Sequence, residues 1–75
     1  MTLEEVVARV LREPLERIDD ATGRETLRSW NSLCHVELIL ALEDAFAVKF
    51  TRREVARLTN VALLRAALRE KGANV

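Results

Sequence analysis

The sequence predicts an all-α fold, four helices in one small bundle, with a short third helix and a long connection between the first two. Three observations predict it. Apolar residues recur at helical spacing in four separate stretches. Two of these follow the same helix-start signature, Thr2-Leu3-Glu4-Glu5 and Thr51-Arg52-Arg53-Glu54, in which a threonine and a glutamate three residues on satisfy each other's free backbone N–H groups. Finally, two Gly and one Pro in 75 residues are too few turn formers for an all-β chain.

The length predicts a single domain over residues 1–75. It leaves no room for a separate substrate domain, which disfavours an enzyme built from its own deep cleft. A composition 49% apolar and 32% charged suits a soluble, helix-rich globule. The single Cys34 excludes an internal disulfide, and no Cys/His cluster has metal-ligand spacing, so no metal site is expected. No uncharged run reaches the length of a membrane span. Met1-Thr2-Leu3-Glu4-Glu5 lacks the basic start and apolar stretch of a signal peptide, so a cytoplasmic, reducing location is the default expectation. The formal net charge is zero, but it is unevenly spread. Residues 31–47 carry Glu37, Glu43 and Asp44 and no base, whereas 48–71 carry Lys49, Arg52, Arg53, Arg57, Arg65, Arg69 and Lys71 against Glu54 and Glu70.

Helix one starts at Thr2 and presents Leu3, Val6, Val7, Val10 and Leu11 on one side. Pro14 disfavours helical geometry at Glu13, so the helix should stop near there. Residues 14–31 form the long connection, rich in turn formers (Pro14, Asp19, Asp20, Thr22, Gly23), with Leu15, Ile18 and Leu27 as its expected apolar anchors. A connection this long in a small domain is usually functional or packed in its own right. Helix two covers about 32–46, with Asn31 as N-cap. In the short helix three, Val55 and Leu58 should face inward. Asn60 or Thr59 caps helix four, whose buried stripe is Val61, Leu64 and Leu68. Arg69 and Lys71 suit its negative end, and Gly72 falls just past it.

Helix two is the most apolar stretch, and its wheel divides it. With Ser32 at zero and about 100° per residue, Leu38, Ile39, Leu42, Ala45 and Phe46 fall between about 220° and 340°, the core face. Leu33, Val36 and Leu40 form a second apolar flank between about 40° and 100°, and Glu37 and Asp44 lie just beyond. Ser32 sits at the seam. The flank is either covered by other helices or left open as a partner-binding surface. Ser32 itself either helps start the helix or uses the anion-friendly first turn to carry a phosphate ester. Cys34, near 200°, points away from the serine and has no evident base. His35, near 300°, falls on the core face, where it is expected to bond a backbone carbonyl of the long connection. Trp30 is expected to cover the end of the bundle, or alternatively to flank whatever Ser32 carries. The basic C-terminal half could bind nucleic acid, but no recognition helix with supporting aromatics accompanies it.

Asn31-Ser32-Leu33, followed by Val36-Glu37-Leu38-Ile39, Leu42-Glu43-Asp44, Phe46 and Val48, closely resembles the acyl carrier proteins, whose hallmark is Asp-Ser-Leu opening the second helix of a four-helix bundle. The flanking Trp30 and His35 and the Leu58-Thr59-Asn60-Val61 start of the last helix resemble the family too, so the likeness covers nearly the whole chain. The resemblance implies that Ser32 is the attachment point of 4′-phosphopantetheine, transferred from coenzyme A, with Asn31 and Leu33 flanking it. It further implies that the chain catalyses nothing and holds an acyl, aminoacyl or polyketide unit as a thioester. Val36, Leu40, Glu37, Glu43 and Asp44, with Leu33, match the family's docking positions, and Leu38, Ile39, Leu42 and Phe46 would line the cargo pocket. The implied partners are a phosphopantetheinyl transferase, a loading ligase or transferase, and downstream synthase enzymes, met by a monomer that binds neither membrane nor nucleic acid.

The chain departs from the family at three points. Asn31 replaces the usual Asp, which removes a charge that would help hold a basic group of the modifying enzyme. Ala47 replaces a frequent Gly, which asks for a backbone compatible with a side chain. The family is typically acidic, whereas this chain is neutral and carries Arg52, Arg53 and Arg57 in helix three. Together these imply a specialised carrier with a dedicated partner set, outside housekeeping fatty acid synthesis. The competing expectation is a helical interaction module of the same fold with Ser32 unmodified.

Overall fold

The structure is a computed structural model that describes residues 1–75. Four α-helices follow one another, α1 (Leu3–Leu11), α2 (Ser32–Phe46), α3 (Arg52–Arg57) and α4 (Val61–Glu70), with one 3₁₀ turn at Leu15–Arg17 and no β-strand. No helix is long and apolar enough to cross a membrane.

In α1 the threonine box closes as expected. Thr2 N donates to Glu5 Oε1 at 2.7 Å, and Glu5 N donates to Thr2 Oγ1 at 3.1 Å. The helix buries Leu3, Val6, Val7, Ala8 and Leu11 and packs mainly against α2. Its stop comes before Pro14. Arg12 turns left-handed (φ 58°), and the N–H of Glu13 returns to the Ala8 carbonyl at 3.0 Å, which satisfies the last turn of the helix. Pro14 instead leads into the 3₁₀ turn. That turn carries Leu15 into solvent, 48% exposed, so Leu15 is not an anchor; Ile18, Leu27 and Trp30 supply the buried contacts of the connection.

The connection is stitched to the start of α4. Val61 N donates to Thr22 O at 2.9 Å, Ala62 N to Asp20 O at 3.1 Å and Arg24 N to Thr59 O at 3.0 Å. Gly23 permits this approach, because a Cβ there would lie 2.7 Å from Asn60 Cβ and 2.8 Å from the Thr59 carbonyl oxygen. Arg65 of α4 adds a clamp, bonding Glu4 of α1 and, at 3.1 Å, Asp20 of the connection.

Asn31 caps α2 by accepting from Cys34 N at 2.9 Å. At the other end Ala47 adopts φ 54°, ψ 47°. The expectation of a side-chain-compatible backbone at this position is therefore corrected. The left-handed turn is retained with alanine in it, at a cost of about 1 kcal/mol or more. Thr51 and Glu54 form the second box at the start of α3, where Leu58 is buried and Val55 only half-buried. Asn60, rather than Thr59, caps α4. Val61, Leu64 and Leu68 are fully buried, and Gly72 (φ 93°) lets Ala73 N return to Leu68 O at 2.9 Å. The two bases at this end have other engagements. Arg69 Nε donates to Val75 O, and Lys71 reaches Glu54 at 3.0 Å while lying over the Phe50 ring.

These pieces enclose one apolar cluster that includes Trp30, Leu38, Leu42, Leu64 and Leu68. Each buried leucine contributes about 1.5–3 kcal/mol of transfer free energy. Trp30, at the end of the connection, and Leu38 and Leu42 of α2 all belong to this cluster, so both elements that border Ser32 are anchored in the core.

Candidate functional site

Ser32 is the first residue of α2 and is exposed. Asn31 occupies two of the first-turn N–H groups: its carbonyl accepts from His35 N at 2.8 Å and its side chain from Cys34 N. Those of Ser32 and Leu33 point out of the helix with no intrahelical acceptor, and the positive end of the helix dipole reinforces them.

The apolar flank beside Ser32 is open. Leu33 is 71% exposed, Val36 51% and Leu40 59%. No other helix covers it, which settles the question that periodicity left open. Glu37 and Asp44 are exposed along its edge. Glu43 differs from them: it is half-buried, its Oε2 accepts from Phe50 N at 2.9 Å, and its backbone carbonyl accepts from Val48 N at 3.2 Å. This carboxylate therefore organises the turn from α2 into α3. On the opposite face Leu38, Ile39 and Leu42 are buried and Phe46 is half-buried against the core, while Ala45 is exposed and does not belong to the core face. None of the molecule's five concavities is lined by Leu38, Ile39, Leu42 or Phe46.

His35 joins three elements. Its Nδ1 accepts from Trp30 Nε1 at 2.9 Å, and its Nε2 lies 2.6 Å from the Val55 carbonyl. The carbonyl it bonds thus belongs to α3, not to the long connection; the connection meets the histidine through the Trp30 side chain instead. Trp30 is 2% exposed, with its ring stacked near the imidazole at 6.1 Å, so it is a core residue and does not flank Ser32 on the surface. Cys34 faces away from the apolar flank into a groove of about 460 Å³ against α1, lined also by Arg9, Arg12, Ser29, Asn31 and Glu37. No group of three or more His, Cys, Asp or Glu side chains is arranged to hold a metal ion.

One residue beside Ser32 was not singled out in the sequence. Arg24 reaches across from the connection, and its Nη2 donates to Ser32 Oγ at 3.0 Å. Eight residues separate the two, with no periodic relation between them, so only the fold of the connection brings them together.

The site thus presents an exposed hydroxyl, free backbone N–H groups, one guanidinium and an open apolar strip edged with acid. Chemically, such a hydroxyl can carry an anionic ester beside the exposed apolar strip. No known family model matches the chain, and no curated protein matches it.

Proposed function

We propose that this chain is a carrier protein of the acyl-carrier type, with Ser32 as the attachment site of 4′-phosphopantetheine. The observation that carries the reading is the placement of Ser32. It is an exposed serine at the first position of a long helix, adjoining an apolar strip (Leu33, Val36, Leu40) that nothing in the fold covers, while the other face of the same helix is core. A helix with its own core face has no structural need for a second apolar face in water.

The residues present fit the group. Ser32 Oγ is accessible to a transferase, and the N–H groups of Ser32 and Leu33 together with Arg24 suit a phosphodiester. In the loading step Ser32 Oγ attacks the pantetheine-side phosphorus of coenzyme A. A P–O bond to serine forms as the pyrophosphate P–O bond breaks, the hydroxyl proton passes to a base of the transferase, and 3′,5′-adenosine bisphosphate leaves. Once bound, the arm supplies a thiol that holds the cargo as a thioester. Leu33, Val36 and Leu40 give partner enzymes desolvatable area, and Glu37 and Asp44 steer basic surfaces toward it. Asn31, the zero net charge of the chain and exposed Arg52, Arg53 and Arg57 on α3 support a dedicated partner set.

The test is intact mass after incubation with coenzyme A and a broad phosphopantetheinyl transferase. One phosphopantetheinyl addition is expected, absent in Ser32→Ala. A wild-type mass unchanged by several transferases, including those of the source organism, overturns the reading. It would favour a helical interaction module that uses the same apolar strip with Ser32 unmodified.

A further inference from the structure

We infer that Arg24 is a positioning residue for Ser32, orienting the hydroxyl before modification and pairing with the phosphodiester afterwards; this rests on the carrier reading above. Arg24 is exposed and forms no ion pair with any carboxylate, and its one side-chain hydrogen bond goes to Ser32 Oγ, at 3.0 Å. An arginine that serves only solubility has no reason to hold that atom.

Its backbone is pinned. Arg24 N donates to Thr59 O at 3.0 Å, and Gly23 before it forms an antiparallel bridge with Asn60. Thr26 Oγ1 accepts from Gly23 N at 2.9 Å, and Leu27 N donates to Gly23 O at 3.0 Å. The guanidinium is therefore delivered from a fixed point, and less side-chain freedom is lost when it engages an anion.

The direction of the bond matters chemically. A guanidinium has donors and no acceptor, so it takes a lone pair of Oγ and leaves the hydroxyl proton free for the transferase base. As that proton leaves, the charge developing on oxygen is met by a cation already in contact. When the oxygen becomes part of a phosphodiester, the same group faces a permanent negative charge, and the bond becomes charge-assisted on both sides. Asn31 strengthens the effect, because no carboxylate at that position competes for Arg24.

The experiment compares wild type, Arg24→Ala, Arg24→Lys and the control Arg28→Ala, an exposed arginine of the same connection. Transferase kinetics are followed by intact mass, and the ³¹P resonance of each modified protein is recorded. Arg24→Ala is expected to lower kcat/KM for modification on the order of threefold to tenfold and to move the ³¹P resonance. Arg24→Lys should recover part of both effects, and Arg28→Ala should show neither. If the wild type is modified while Arg24→Ala keeps the wild-type rate and ³¹P position, the role of Arg24 is overturned and the carrier reading stands. If the wild type takes up no phosphopantetheine at all, both are overturned.

Discussion

The indole N–H of Trp30 donates to Nδ1 of His35 across 2.9 Å, and this bond sets the form of the histidine ring. An indole nitrogen only donates, so Nδ1 must be the unprotonated nitrogen and Nε2 carries the hydrogen. Nε2–H then donates to the Val55 carbonyl at 2.6 Å. One neutral imidazole thereby links the end of the long connection to α3 through α2. Nitrogen chemical shifts of labelled protein are expected to show the Nε2–H tautomer. His35→Ala leaves a buried indole N–H and the Val55 carbonyl without their partner, which costs about 2–4 kcal/mol in urea unfolding. A cost under about 0.5 kcal/mol would mean that the three elements do not depend on the ring.

Gly23 and Gly72 are both required, for different reasons, and alanine separates them. At Gly23 a Cβ collides with Asn60 Cβ and the Thr59 carbonyl, so Gly23→Ala must push the connection off α4 and is expected to cost about 1–3 kcal/mol. It should also slow modification of Ser32, because Arg24 is delivered from the next residue. At Gly72 nothing lies within 4 Å, and the penalty comes from φ 93° alone, so Gly72→Ala costs about 1 kcal/mol and leaves modification untouched. Equal modification rates in the two variants would break the link between the Gly23 bridge and the serine.

Arg12 and Ala47 close their helices in the left-handed region, at φ 58° and φ 54°. Glycine adopts this conformation without the Cβ penalty but gives up more freedom on folding, so the net gain is smaller than the strain. Ala47→Gly and Arg12→Gly are each expected to stabilise the protein by about 0.5–1 kcal/mol, read as a rise in Tm of a few degrees. An unchanged or lower Tm would show that the turn into α3 or into the 3₁₀ segment relaxes when the side chain is removed.

The sequence carried the local signals and missed the long-range ones. Caps and stripes are read from residues three or four apart, and Thr2, Asn31, Thr51 and Asn60 all cap as their side chains dictate. The wheel of α2 placed Leu38, Ile39 and Leu42 inside and left the fate of Leu33, Val36 and Leu40 to tertiary packing, which leaves them bare. Leu15 looked like an anchor by type, yet the 3₁₀ turn rotates it outward. Two contacts at the site were out of reach for the same reason. Arg24 meets Ser32 only because the Gly23 bridge folds the connection back, and Glu43 meets Phe50 N only because Ala47 reverses the chain. His35 was recognisable as a core residue, but which carbonyl it meets depends on where α3 lies.

Both threonine boxes make the protein sensitive to acid. Backbone hydrogen bonding at Thr2 holds the Glu5 carboxyl below the ordinary carboxylate value of 4.5, and at Thr51 the same contact, followed by Lys71, does so for Glu54. A folded-state value below the unfolded one means that the ionised form is favoured by folding. The stabilisation is therefore present above the unfolded value and is lost as pH falls through the lower, folded-state value. Tm should accordingly decline as pH is lowered below about 4.5. Glu5→Gln and Glu54→Gln retain the box geometry without the titration, and the double variant is expected to show a shallower decline. An identical acid profile would place the acid sensitivity in other carboxylates.

The two faces of α2 should respond in opposite ways to substitution. Leu38 and Leu42 are fully buried, and truncation to alanine there is expected to cost about 2–5 kcal/mol. Leu33, Val36 and Leu40 are exposed, so Val36→Asp and Leu40→Asp should change stability by less than about 0.5 kcal/mol. The same two variants should raise KM of the transferase with little change in kcat, because they remove uniform binding and leave Ser32 Oγ and Arg24 in place. Glu43 provides the internal contrast. Glu43→Ala gives up the Phe50 N–H bond and should cost about 1 kcal/mol, whereas Glu37→Ala, at the open edge of the strip, should affect the encounter and not the fold. Unfolding curves and transferase kinetics on these six variants decide the assignment. A destabilised Leu40→Asp, or a KM that Val36→Asp and Leu40→Asp leave unchanged, would show that the exposed strip of α2 is not the surface partners use.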